Sequence, residues 1–368
     1  MATESRVDEF QSPPRRSLTL SQRKRLLKIF GAAVMIVYTV MTIFPFYVMF
    51  VNSFVNTKDA SDLNLWIPKA EELSLNAQIG NLSVFYNLDM SKFKEDMGIP
   101  PEVFLMSRTS LSDIAEEHNI PLEKMRKYFA GYYTYNGWIT LLKGDQFWPS
   151  LARTILLVTA SLVGITILSV FTGYGLAGLR RRDQMFIYHL YLLQMVIPAM
   201  LIILPQFMVV QWLLKLFPGS DQPGMTRWTL QYLGLIMINI KGGALSTMIM
   251  VAAIGAIPRD LQDSAQIDGA SHWQYIRYIL FPLLTVPIVS LIVIMLPLFW
   301  NQFLEPYVYL DQNTNTLLPL VYSMQGAYRT NYQMQYATLL ASIIPLAVVY
   351  LLFRRFFIQG VMAGAIKG

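Results

Sequence analysis

The chain has 368 residues, 54% of them hydrophobic and only 14% charged, with a mean hydropathy of +0.41. A soluble domain carries about 25% charged residues, so this balance points to a membrane protein with several spans. The formal net charge of +6 reads in such a chain as cytoplasmic Lys and Arg that set orientation, not as a nucleic-acid surface. The lack of cysteine excludes disulfides, cysteine-ligated zinc and thiol catalysis. His118, His189 and His272 lie too far apart in sequence to argue for a metal site.

Residues 1–28 form a basic leader, with Arg15, Arg16, Arg23, Lys24, Arg25 and Lys28 before the first apolar run. That run, 29–55, exceeds the roughly 20 residues a helix needs to cross a bilayer. Its leader is too long and polar for a cleaved signal.

Residues 56–153 are different material, holding 13 of the chain's 23 acidic residues. Within them SLSDIAEEHNIPLEKMRKYF (Ser110–Phe129) places Leu111, Ile114, Ala115, Ile120, Leu122, Met125 and Phe129 near helical spacing. Pro121 suits the start of a second helix. The segment reads as a small helical insert used for docking or packing. A glycan-binding LysM-like module is the sharper alternative.

Five further apolar runs follow between 154 and 353: Thr154–Leu179, Met185–Leu214, Leu230–Ile257, Tyr278–Leu304 and Tyr332–Phe353. Basic residues mark one side of the membrane: the leader, Arg180–Arg182, Arg259 and Arg277, and then Arg354 and Arg355. This alternation predicts an all-α polytopic protein with six transmembrane helices and both termini cytoplasmic. The 56–153 insert then lies outside, between the first and second helices, and 354–368 is a cytoplasmic tail.

The apolar pattern is interrupted at 258–280, around SAQIDGASHWQYIRYILFP (Ser264–Pro282). Pro258 fits a first helical position, and Asp260 and Asp263 suit the early turns of a helix. Leu261, Ala265 and Ile267 offer it an apolar side. Gly269 permits a left-handed end to that helix. A second helix is expected from Ala270, with Trp273, Ile276 and Ile279 on one face, and Pro282 marks entry to the fifth span. From the residues alone, a lipid-lying amphipathic helix and a docking helix are equally good readings.

The run DSAQIDGASHWQYIRYILFPLL (Asp263–Leu284) resembles the EAA loop of binding-protein-dependent ABC importer permeases. Ala265, Asp268, Gly269, Ala270, Trp273, Gln274, Arg277 and Pro282 match that pattern. Asp263 replaces its Glu on a shorter arm, and Ser264 replaces an Ala of similar size. FPFYVMFVNSF (Phe44–Phe54), WNQFLEPYVYL (Trp300–Leu310) and the tail FIQGVMAGAIKG (Phe357–Gly368) are similar to segments of the carbohydrate-uptake, maltose-type group. The resemblance covers most of the chain outside the leader and the insert.

The resemblance implies that 258–280 is a coupling loop. Asp263, Ser264, Ala265, Asp268, Gly269, Ala270, Trp273 and Arg277 would then dock on a cytoplasmic ATPase subunit, toward whose dimer interface the tail reaches. It implies a second permease subunit, an ATPase dimer, an extracytoplasmic solute-binding protein and the bacterial cytoplasmic (inner) membrane. ATP and Mg belong to the partner ATPase. This chain carries no G-x-x-x-x-G-K-[ST] phosphate loop and no nucleophile–base constellation, so it reads as neither an ATPase nor any other enzyme.

Polar groups within spans are costly and mark candidate pathway residues. Lys241 and Asn239 sit in INIKGGALS (Ile238–Ser246), near the middle of the expected fourth span, and Trp300, Asn301 and Gln302 lie near the end of the fifth run. Lys241 reads either as a pathway cation for a sugar or as a structural charge paired with Glu305 or snorkelling to water. Amides and an aromatic platform suit sugar hydroxyls, but they equally suit bonds between helices, the better reading for Gln194. Pro198, Pro205, Pro287 and Pro297 are expected to bend spans around the pathway. Two rival functions are an ABC permease for another small solute and an ATPase-independent secondary transporter. The second would need a carboxylate inside a span, and none is present in the six runs.

Overall fold

The computed structural model describes residues 20–55, 63–67, 75–85, 88–219, 222, 224–241, 243–324 and 331–365. Most of the basic leader and residues 366–368 of the tail lie outside the described residues, as does Gly242. The described chain is helical, apart from one isolated β-bridge between Gln78 and Ser110. It divides into two compact units, one ending at Met49 and one beginning at Phe50.

The first unit contains most of α1 (Leu20–Asn52). Leu27, Phe30, Met35, Val40 and Phe46 are all exposed. A helix apolar on every side is suited to a lipid environment rather than to water.

The second unit opens with the insert: α2 (Ile79–Phe85), α3 (Met90–Met97), α4 (Leu111–Glu117) and α5 (Leu122–Lys143). It has its own core, in which Ile79, Leu82, Phe93, Leu111, Ile114, Met125 and Phe129 are buried. The spacing in Ser110–Phe129 thus reports real buried faces. Ser110 caps α4 in a capping box with Asp113, and Pro121 is the N-cap of α5. The far half of α5 meets α17 (Tyr332–Ala365), where Gln333 donates to the Thr134 carbonyl at 3.3 Å.

α6 (Phe147–Ala177) runs unbroken for 31 residues and begins before the expected Thr154. Its buried positions include Ser150, Thr154, Leu157, Ser161, Leu162, Ile165, Ser169 and Gly173, a three-to-four-residue period of small and apolar groups. Small residues let membrane helices approach closely. At Gly164 an added Cβ would collide with Cγ1 and Cδ1 of Ile240, so this glycine sets the contact between α6 and α9 (Met225–Lys241).

Three helices, Leu20–Asn52, Phe147–Ala177 and Tyr332–Arg354, are long and apolar enough to cross a membrane singly. The expected third, fourth and fifth spans are each broken. The third divides into α7 (Arg181–Val196) and α8 (Ala199–Leu214). Pro198 lacks an N–H and holds Ile197 extended (ψ 117°), which stops α7. The fourth divides into α9, ending at Lys241, and α10 (Ala244–Gly255), which are bent by 49° relative to each other.

The fifth bends by 69° where Leu284 separates the short α13 (Phe281–Leu283) from α14 (Thr285–Trp300). Pro287 sits in the first turn of α14, and its ring would clash with the carbonyl four residues earlier if the helix ran on. The continuous part of the fifth span therefore starts at Thr285 rather than at Pro282. Pro205 and Pro297 lie inside α8 and α14. After α14 come α15 (Leu304–Tyr309) and α16 (Leu317–Ser323).

Candidate coupling and pathway sites

The interruption at 258–280 folds as two helical arms around a glycine. α11 (Arg259–Ile267) has Pro258 as its N-cap, one position before the expected place, and Asp260 in its first turn. Gly269 has φ +77°, with nothing near a would-be Cβ. Its N–H donates to the Gln266 carbonyl at 3.0 Å, and the Ala270 N–H donates to the Ala265 carbonyl at 2.9 Å. This pair is a Schellman ending, which requires the left-handed residue that glycine adopts without strain.

The second arm, α12 (His272–Tyr275), starts two residues after the expected Ala270 because Ser271 is its cap. Ser271 and Gln274 form a capping box, with Gln274 Oε1 accepting from the Ser271 N–H at 2.7 Å. The arm continues as a π-turn over Ile276–Leu280.

The buried faces differ from those the spacing predicts. In α11 only Ala265 is buried, while Leu261 is exposed and Ile267 is 86% exposed. In the second arm the buried residues are Tyr275, Ile276 and Leu280, and Trp273 is 58% exposed. Of the expected Trp273–Ile276–Ile279 face, Ile276 is buried and Ile279 packs against the core, while Trp273 is left out. The π-turn adds a residue to one turn and brings Leu280 into the buried set. Ala265, Tyr275, Ile276 and Leu280 share one core with Val170 of α6, Ile254 of α10 and Leu291 of α14. Both arms are therefore built into the bundle on one side.

On the other side Asp263, Ser264, Asp268, Gly269, Trp273 and Arg277 are exposed, with Ala270 half-buried. The Arg277 guanidinium lies 5.6 Å from the centre of the Tyr278 ring. The arms, the end of α6 and the end of α10 enclose a cleft of about 650 Å³ with Gln184, Arg259, Gln262 and Asp263 in its lining.

The second group of residues lies where α9 ends. Asn239 is buried and donates through Nδ2 to Ser161 Oγ of α6 at 2.9 Å and to Gln302 Oε1 at 3.2 Å. Gln302 Nε2 returns a bond to Asn239 Oδ1 at 2.8 Å. The two amides satisfy each other, and a small hydroxyl on α6 takes the remaining donor. Sequence reasoning missed Ser161, because a serine among apolar residues carries no signal of its partner.

Lys241 is the last residue of α9. It is exposed and forms no ion pair with Glu305 or any other carboxylate among the described residues. The helix ends there, so the cation lies at the negative end of the α9 dipole rather than mid-helix. Asn301 is the exposed C-cap of α14. Trp300 is buried, and its indole N–H donates to the Ser342 carbonyl at 3.1 Å. Its ring therefore packs in the core in this conformation rather than forming an open platform. Gln194 is half-buried in α7.

A bundle of apolar helices, three of its spans broken and two polar arms presented at one surface, defines a membrane transport component. A family model described as the binding-protein-dependent transport system inner membrane component matches residues 165–362, more than half of the chain. The chain belongs to that family. Lactose transport system permease protein LacG of Rhizobium radiobacter is 30% identical over 226 residues, covering 60% of this chain and 74% of that protein. Arabinooligosaccharides transport system permease protein AraQ of Halalkalibacterium halodurans is 26% identical over 295 residues, covering 79% and 94%. The crystal structure of a bacterial ABC transporter involved in the import of the acidic polysaccharide alginate aligns with a TM-score of 0.58 at 15% identity, covering 93% of this chain and all of that one. That likeness shows a shared fold.

Proposed function

We propose that this protein is a transmembrane subunit of an ATP-driven ABC importer for oligosaccharides in the bacterial cytoplasmic membrane. Its six spans are the three continuous helices and the three bent pairs, with both termini inside and the insert outside. A solute-binding protein delivers the sugar. A second permease subunit completes the pathway, and an ATPase dimer, which carries ATP and Mg, drives it. The insert contacts the binding protein or the partner permease.

The observation that carries this reading is the 258–280 pair of arms. One side is rooted in the bundle core, and the other exposes Asp263, Ser264, Asp268, Gly269, Trp273 and Arg277. A rigid element seated this way passes an external push into the bundle as rigid-body motion. The carbohydrate assignment is supported by relatives named for transport of lactose, arabinooligosaccharides and starch degradation products. Asn239, Lys241, Trp300, Asn301 and Gln302 are proposed to line or border the pathway.

The test is co-purification of the tagged chain with its ATPase, followed by uptake assays in proteoliposomes with purified binding protein. The panel is malto-oligosaccharides, lactose, arabino-oligosaccharides and acidic oligosaccharides. ATP-dependent uptake of at least one is expected. Isolation of the chain without an ATPase, or uptake driven by an ion gradient alone, overturns the proposal.

A further inference from the structure

We propose that α6 is a third mechanical link between the coupling arms and the pathway, and that Tyr174 is the positioning residue that makes it so. The inference rests on reading 258–280 as the ATPase-facing segment.

The arms are joined covalently to α10 and α14, but neither connection is a stiff rod. α10 changes direction by 49° relative to α9, and the second arm meets α14 through a 69° bend at Leu284. Broken joints of this kind absorb displacement as hinges. α6 has no covalent link to either arm and is continuous over 31 residues.

Its last turns grip both arms. Phe171 and Tyr174 lie three residues apart and so share a face. The Tyr174 hydroxyl is 3.0 Å from Nδ1 of His272 on the second arm. The same oxygen accepts from Gln262 Nε2 on α11 at 3.3 Å. Because Gln262 donates, the phenol's own hydrogen is free to go to Nδ1 of a neutral imidazole protonated at Nε2. The Tyr174 ring also packs against Tyr275 with centroids 6.1 Å apart, and Phe171 stacks on Trp273 at 6.3 Å with planes 3° apart.

The other end of the lever is Ser161, about 20 Å up the same helix. There it accepts from Asn239, which exchanges amide bonds with Gln302. A shift of the arms is thus delivered by one rigid helix to the junction of α9 with the end of α14, bypassing both hinges.

The experiment uses the assembled complex in nanodiscs, with ATP and vanadate as the probe. The chain has no native cysteine, so with partner chains made cysteine-free, nitroxides at Leu156→Cys on α6 and Ile344→Cys on α17 report only the intended pair. Both sites are exposed. Wild type should show a shift of several ångströms in label separation on trapping. Tyr174→Phe, which keeps the ring and removes both hydrogen bonds, should lose most of that shift while trapping nucleotide as wild type does. His272→Asn, whose amide oxygen replaces Nδ1, should retain the shift that His272→Ala loses. If Tyr174→Phe lowers the melting temperature of the complex, the contrast between these two histidine variants decides. A full shift in Tyr174→Phe and His272→Ala, or no shift in wild type, overturns the inference. Failure of the wild-type chain to bind any ATPase is a different result: it removes the proposed function and this inference with it.

Discussion

At the scale of single residues, Gly269 and Lys241 show how far local chemistry reaches. Gly269 is needed for a backbone angle, φ +77°, and for an N–H bonded to the Gln266 carbonyl. Proline supplies neither, because its ring locks φ near about −65° and it has no N–H. Gly269→Pro should therefore insert in the membrane normally but lose transport while ATP hydrolysis continues, measured as solute moved per ATP in proteoliposomes. The glycine is legible in sequence because turn rules are local, whereas the expected start at Ala270 missed the Ser271–Gln274 capping box. Lys241 is legible as a charge among apolar residues. Its place at a helix end, without a carboxylate partner among the described residues, is not. If it meets the solute, Lys241→Met should raise the half-saturation concentration of uptake about tenfold, a loss of about 1.4 kcal/mol. An unchanged value would leave it as a helix-end charge only.

At the scale of elements, α6 and the insert each depend on a specific packing contact. The α6–α9 contact turns on Gly164, whose missing side chain makes room for Ile240. Gly164→Ala brings its Cβ against both Cγ1 and Cδ1 of Ile240, which must shift to admit it, and should cost less than a larger side chain. Gly164→Leu overpacks the contact and should cost about 1–3 kcal/mol, read as a lower melting temperature of the detergent-solubilised protein. In the insert, Phe93 is fully buried, with ring centroids 5.7 and 5.5 Å from Tyr128 and Phe129. Phe93→Ala should cost the insert about 3–5 kcal/mol, seen as faster proteolysis there with cleavage elsewhere unchanged. Apolar periodicity revealed the insert's helices because they bury one face each. It was only partly right for the two arms, where Ala265 and Ile276 are buried as the spacing predicts but Leu261, Ile267 and Trp273 are exposed.

At the scale of the whole molecule, the proposed topology predicts which surfaces a membrane-impermeant maleimide reaches in intact cells. Phe104→Cys, at an 88% exposed position of the insert, should label from outside. Asp263→Cys and Arg23→Cys should label only after permeabilisation, and the reverse pattern would invert the assignment. Chemistry carried along the chain was enough to establish a helical membrane protein, its long apolar runs, an acid-rich segment with its own helices and a pair of short helical arms around a glycine. Each of these follows from hydropathy, charge or turn rules acting over a few residues. Folding in three dimensions decided the rest: that α6 is the unbroken centre of the bundle, that Trp300 is held inside by Ser342, that Asn239, Gln302 and Ser161 close on one another, and that Tyr174 meets His272. Those partners lie tens of residues apart or more, and a hydrogen bond between distant residues leaves no period in the sequence.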